Sequence, residues 1–211
     1  IWQYKVFSDT NIFINYNSNI VVPYPIESKL SGVERRIEVG EKIGYKKEFE
    51  FPKGFLKDKT ILHFGAVDQV CDVYFNRNFV IHHEDGYTPF SVDVTRLLKE
   101  RNEIVVIVQD NLDKDYPYGK QKNKNGGMWY TPVSGIWQTV WLEPVNTSHI
   151  DGYKVTSDID KGTITLLVAS QSADASATIV VTKEGKEIAR LENQAVNKNN
   201  SITIPNAQLW S

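Results

Sequence analysis

The residues best suited to chemistry in this 211-residue chain are acids and aromatics gathered near its middle. Asp110, Asp113 and Asp115 follow an apolar run, and Trp129, Trp137 and Trp141 fall within thirteen residues. Paired carboxyls are the machinery of glycosidic-bond hydrolysis: one protonates the leaving oxygen while the other attacks carbon or activates water, across about 5 to 9.5 Å. Indoles cover large apolar area and keep one N–H donor, which suits a sandwich core and a sugar-facing wall equally. No acid pair stands apart by spacing, and a solvated acidic loop accounts for the three aspartates as well as a cleft does.

His82, His83, Glu84 and Asp85 have the residue types of a metal site. Adjacent residues on a strand point to opposite faces, so both histidines reach one ion only if the strand bends. The plainer expectation is a polar strand end with one histidine packed, and no metal or cofactor is assigned. The chain has no GxSxG elbow, P-loop, CxxC pair or Rossmann glycine set, so serine-hydrolase, nucleotide and dithiol chemistries lack their required residues. No residue is assigned a catalytic role.

The segment from Asp110 to Trp129 carries about 20 residues without strand pattern, and such loops inside a domain are usually functional or disordered. Tyr116, Pro117, Tyr118, Gly119, Lys120 and Gln121 are unlike linker composition. Donors such as Lys120 and Gln121 beside Tyr116 and Trp129 suit a carbohydrate, whose hydroxyls need hydrogen bonds and whose C–H faces stack on rings. A loop packed on a neighbouring domain is the competing account.

The elements that must position these residues are short strands. Alternation or β-rich composition predicts strands at Tyr45–Phe51, Thr60–Ala66, Val70–Phe75, Glu103–Gln109 and Trp137–Glu143. Turn residues separate them: Pro52-Lys53-Gly54, Asn76-Arg77-Asn78 and Asp85-Gly86. Only Thr95–Glu100 reads as helical, capped by Asp93 or Thr95. Aromatic content falls near Pro144, and a second set of strands follows at His149–Thr156, Gly162–Ala169, Ala177–Lys183, Glu187–Leu191 and Ser201–Ile204. The expected organisation is therefore all-β, with a first domain over residues 1–145 and a second over 146–211, the boundary falling at residues 144–148. An immunoglobulin-like sandwich needs about seven strands and about 100 residues, so the second domain reads as truncated.

A hydrophobic fraction of 41% and a charged fraction of 24% are those of an ordinary folded domain. A net charge of −2, with Lys114 to Lys124 interleaved with acids, provides no basic field for nucleic acid. No apolar run approaches the roughly 20 residues of a membrane span, and no signal-peptide pattern opens the chain. Cys71 is the one cysteine and sits in an alternating run, which predicts a buried structural thiol and rules out an internal disulfide. Periplasmic, secreted and cytoplasmic locations all stay open.

Five blocks in order carry a resemblance: VVPYPIESKLSGV (Val21–Val33), YKKEFEFP (Tyr45–Pro52), LHFGAVDQVCDVYFN (Leu62–Asn76), HHEDGYTPFSVDVT (His82–Thr95), and YPYGKQ with GGMWYTPVSGIWQTVWLEPV (Tyr116–Val145). Together they resemble the amino-terminal sugar-binding domain of glycoside hydrolase family 2, which includes β-galactosidases, β-glucuronidases and β-mannosidases. The resemblance implies a galactose-binding-domain-like jelly-roll sandwich, followed by an immunoglobulin-like sandwich that the closing IPNAQLWS also resembles, and then a (β/α)₈ catalytic barrel. The family's acid/base and nucleophile are barrel glutamates, and a barrel takes about 250 residues that this chain does not have.

The resemblance implies a non-catalytic front portion of a β-galactosidase-like retaining hydrolase that braces the barrel, helps form homo-oligomers and lends a loop to the substrate pocket. The fragment alone is expected to be inactive. The matching loop is Asp110–Trp129, and the residues expected to approach the carbohydrate substrate are Asp110, Lys120, Gln121 and Trp129. Gly126-Gly127 stands where some β-galactosidase relatives have acids, a departure that leaves a galactose contact by that route without support from the resemblance. A free carbohydrate-binding module and an adhesion-type tandem sandwich are the alternatives.

Overall fold

The computed structural model describes residues 1–8 and 10–209. Trp210 and Ser211, the end of the IPNAQLWS segment, lie outside the described residues. The chain divides into two compact units, Ile1–Pro144 and a second beginning at Val145.

The first unit contains strands β1 (Trp2–Phe7), β2 (Ser18–Ile20), β3 (Lys42–Glu50), β4 (Lys59–Phe64), β5 (Val67–Asp68), β6 (Val70–Phe75), β7 (Asn78–Glu84), β8 (Phe90–Asp93), β9 (Arg101–Gln109), β10 (Gly135–Ile136) and β11 (Val140–Val145). A six-stranded antiparallel sheet runs β2-β1-β3-β9-β6-β7, and two smaller sheets run β11-β4-β8 and β10-β5. One core joins them into a sandwich, the architecture expected from the sequence. Ile43 and Tyr45 of β3, Val73 and Phe75 of β6, and Ile104, Val106 and Val108 of β9 pack with Leu62 and Phe64 of β4, Val67 of β5 and Ile136 of β10.

Strand β9 is buried on both faces, which explains its unbroken apolar run IVVIV. Ile104, Val106 and Val108 face the sandwich, while Val105 and Ile107 join a second cluster with Tyr16, Phe7, Ile12, Phe13 and Tyr74. The chain after β1 thus folds back over the sheet's outer face.

Turn chemistry behaves as its residues require. Asn76 (φ 50°) and Arg77 (φ 68°) are both left-handed and close the β6–β7 hairpin. The helix expected over Thr95–Glu100 is a single 3₁₀ turn, Thr95–Leu97. Asp93 Oδ1 accepts from the Thr95 amide at 2.9 Å, but the Lys99 amide donates to the Asn102 side chain at 2.9 Å instead of a helical carbonyl. With Leu98 extended, no second turn forms. Cys71 is buried as expected, and burial pushes its thiol up, away from the reactive thiolate.

The second unit has β12 (Gly152–Asp158), β13 (Thr163–Ala169), β14 (Ser176–Lys183), β15 (Lys186–Ala195) and β16 (Asn199–Thr203). They form two antiparallel sheets, β12-β13-β16 and β14-β15. Among the described residues its buried apolar side chains are Val145, Val168, Ile179, Val196 and Ile202.

Two positions in the first unit are tightly constrained. Gly135 has φ +85°, and a Cβ there would overlap the Tyr45 hydroxyl and lie 2.9 Å from Tyr45 Cζ, whereas Gly40 at φ +88° has open space around it. Gly135→Ala is expected to cost about 3 kcal/mol or more in urea unfolding, and Gly40→Ala about 1 kcal/mol. Asn102 is 1% exposed and joins Asn76 and both backbone groups of Lys99. Asn102→Ala leaves those partners unsatisfied and is expected to cost about 2 to 3 kcal/mol, with an unchanged denaturant slope.

Candidate functional site

The segment that leaves β9 runs from Asp110 to Ser134 and is pinned from beneath by buried polar groups. Asp110, 5% exposed, accepts from the Leu112 amide at 2.8 Å and from Ser134 Oγ at 2.7 Å. Glu27 accepts from the Ser134 amide at 3.0 Å, so one serine ties two acids from distant segments. Gln69, 2% exposed, grips Asp113 by its backbone carbonyl (3.0 Å) and amide (3.1 Å). Gln121, also buried, accepts from the Val133 amide at 2.5 Å and donates to the Tyr87 hydroxyl at 3.3 Å.

Asp68 of β5 completes this floor. It is 3% exposed, and its side chain fills the space beside Gly86, where a Cβ would come within 2.5 Å of Asp68 Cγ. The Gly86 carbonyl in turn accepts from Trp137 Nε1 at 2.8 Å, which fixes one of the three clustered indoles as a structural post. Burial first, then the Asp110 charge, pushes the Asp68 carboxyl up to about 7, with Glu27 and Asp85 adding to the rise and Gln121 opposing it. Burial also raises Asp110 and Glu27, against the donors that Ser134 and Leu112 supply.

Above the floor the loop doubles back on itself. The Tyr130 amide donates to the Lys120 carbonyl at 2.8 Å and the Lys122 amide to the Tyr130 carbonyl at 3.1 Å, while Gly126 and Trp129 exchange both backbone bonds. The tight turn between them is Gly127-Met128, and Gly126 and Gly127 supply its positive backbone angles, φ 145° and 59°. Arg36 braces the tip by donating to the Asn123 carbonyl and the Asn125 side chain. Trp129 is partly buried, with Lys122 Nζ 4.8 Å from its ring centroid, and Met128 and Tyr130 beside it are exposed.

The four residues singled out from the sequence therefore divide. Asp110 and Gln121 anchor the loop from below, and Asp110 is no part of a solvated acidic loop, although Asp113 and Asp115 are exposed. Lys120 and Trp129 lie on the folded-back upper part. Sequence reading missed Glu27, Asp68, Gln69 and Ser134; an acid or amide set in an apolar stretch, as in GAVDQV, is the one signal that pointed to Asp68 and Gln69.

Two further acids, Glu48 and Glu103, are held by cations. A surface basin of about 370 Å³ is lined by Glu48 and Glu103 among other residues. Lys46 Nζ bridges both carboxylates at 2.7 and 3.0 Å, and Arg101 holds Glu48 at 2.6 Å. The Lys46 hydrogen bond holds Glu48 below its ordinary range, which is the reverse of what a proton donor to a glycosidic oxygen needs. His82 lies between Asp72 (2.6 Å) and Glu84 (3.2 Å), while His83 stacks on Phe90, so the neighbouring histidines face different surroundings. Among the described residues no group of three or more such side chains could hold a metal ion, and no helix is long and apolar enough to cross a membrane.

Comparison with known proteins matches residues 4–144 to the sugar binding domain of glycosyl hydrolases family 2. A β-galactosidase of Thermoanaerobacter pseudethanolicus is 32% identical over 160 residues, covering 73% of this chain and 19% of the relative. A rat β-glucuronidase is 24% identical over 214 residues, covering 88% of this chain and 32% of the relative. A Ruminococcus gnavus β-glucuronidase structure superposes over 99% of this chain and 38% of its own, with TM-score 0.77 and 19% identity. The chain thus spans roughly a fifth to a third of the curated relatives it matches. With a family match over most of the first unit and the same fold in solved relatives, the chain belongs to glycosyl hydrolases family 2, and residues 4–144 form its sugar-binding domain.

Proposed function

We propose that this chain is the non-catalytic front portion of a β-galactosidase- or β-glucuronidase-type hydrolase, bracing a catalytic barrel and presenting the Asp110–Trp129 loop at the rim of its sugar pocket. The observation that carries this reading is the disposition of the acids. Asp113 and Asp115 are exposed on the loop surface, Glu48 and Glu103 are clamped by cations, and Asp68 and Asp110 are buried beneath the loop. None of these arrangements places a proton donor and a nucleophile on opposite sides of a bound sugar.

On the loop, Trp129 and Lys120 are the groups we assign to the substrate side, with Asp110 and Gln121 positioning them. Lys122 lies over Trp129, so that ring is partly covered, which favours a pocket rim over a free-standing binding module. Names of relatives support both sugars: β-galactosidase for the 32% identical protein and β-glucuronidase for the structural neighbours.

We read the second unit as part of an immunoglobulin-like sandwich. Tyr153 and Val155 stand opposite Val168 and Leu166 on the same sheet face, yet are 74% and 48% exposed. An apolar face left this open suits further strands of the same domain.

Assays with nitrophenyl β-galactoside, β-glucuronide and β-mannoside test the assignment. The 211-residue chain is expected to release no nitrophenol, and the full-length protein to cleave at least one substrate; turnover by the chain alone would overturn it. In the full-length enzyme, Trp129→Ala is expected to lower kcat/KM about tenfold without moving the unfolding midpoint, whereas Gln121→Ala lowers both.

A further inference from the structure

We propose that the buried carboxyls of Glu27, Asp68 and Asp110 act as a proton-operated latch: while they retain protons they hold the Asp110–Ser134 loop closed, and when they ionise they let it lift. The inference concerns the loop's attachment alone and stands whatever the loop contacts.

The geometry supplies too few donors for three ionised acids. Asp110 has the Leu112 amide and Ser134 Oγ, Glu27 has the Ser134 amide with its Oε1 unpartnered, and Asp68 has the Gln121 amide nearby. Among the described residues no cation offsets them. The charged groups facing Asp68 are Asp110 from the end of β9, Glu27 from the segment after β2, and Asp85 from the β7–β8 turn. Tyr45 of β3, wholly buried and with its hydroxyl unpartnered, faces Glu27 from below. An ionised carboxylate in such a place costs several kcal/mol unless water reaches it.

The loop covers the acids on one side, while Gly86 of the β7–β8 turn packs on Asp68 from another. Gln121 and Ser134 sit on the carboxyls, and Asp68 is paired through β5–β10 with Gly135, the residue after Ser134. Water therefore reaches the cluster when the loop detaches. The detached state gives Asp68 its ordinary carboxylate affinity near 3.8, whereas the closed state holds it near 7. The closed state binds the extra proton, so closure is fully present below the lower value, weakens as pH rises between the two, and levels off above the upper one. Asp110 and Glu27, shifted in the same direction, add to the slope.

Amide hydrogen exchange on the 211-residue chain reads this directly, with rates corrected for the intrinsic pH dependence. The amides of Lys122, Tyr130, Val133 and Ser134 are expected to lose protection at least about tenfold between about pH 5 and pH 7 and to change little above about pH 8, while Val106 in β9 stays constant. Asp68→Asn is expected to reduce that slope by more than half. Loop protection that is constant with pH, or an unchanged slope in the variant, would overturn the latch. Should the variant misfold, the wild-type Asp68 carboxyl carbon decides alone: a titration midpoint within about one unit of 7 supports the latch, and any lower midpoint overturns it.

Discussion

The first unit is organised around a solvation problem: buried Asp68 and Asp110 and half-buried Glu27 are brought together, and among the described residues no cation joins them. Carboxyls in that position need every available donor, and the loop that follows β9 is the nearest source. Ser134 serves two of them at once, Gln121 approaches the third, and Gln69 holds the loop's first turn by its backbone. The surrounding packing follows from this arrangement. Gly86 has no Cβ because Asp68 fills that space, Gly135 has none because Tyr45 does, and Trp137 turns its N–H to the Gly86 carbonyl to hold the neighbouring turn in place. A loop about 20 residues long is thereby given one course, which a loop of its length would otherwise lack.

That arrangement separates support from display. Groups with the strongest chemical character, the buried acids, are spent on holding the loop, and the residues facing outward include Lys120, Met128, Tyr130 and the Lys122–Trp129 pair. Glu48 and Glu103, which line the basin on another part of the unit, are neutralised by Lys46 and Arg101. The domain thus resembles a mount with a shaped edge, in keeping with its match to the family's sugar-binding domain.

Much of the fold was legible because each signal was local. Alternation fixed the positions of β3, β4 and β6, and Asn76-Arg77 reported its own hairpin because two adjacent residues tolerant of left-handed backbone have few other uses. The expected helix at Thr95–Glu100 failed because the Asn102 side chain, only three residues further on, takes the Lys99 amide that a helix would need. Asp110 and Gln121 were found as members of the right loop, but their side was invisible, since it depends on Ser134, Tyr87 and Glu27 arriving from elsewhere in the chain. The double burial of β9 was hidden likewise, because Tyr16 and its neighbours cover the sheet from a segment with no strand pattern.

The most direct test of the account is a double-mutant cycle on unfolding free energy with Ser134→Ala and Asp110→Asn. If the serine hydroxyl and the buried acid hold the loop as a unit, the two changes will be non-additive by about 1 kcal/mol or more. Costs that add to within about 0.3 kcal/mol would show that the two groups act independently and that the loop owes its course to something other than the buried acids.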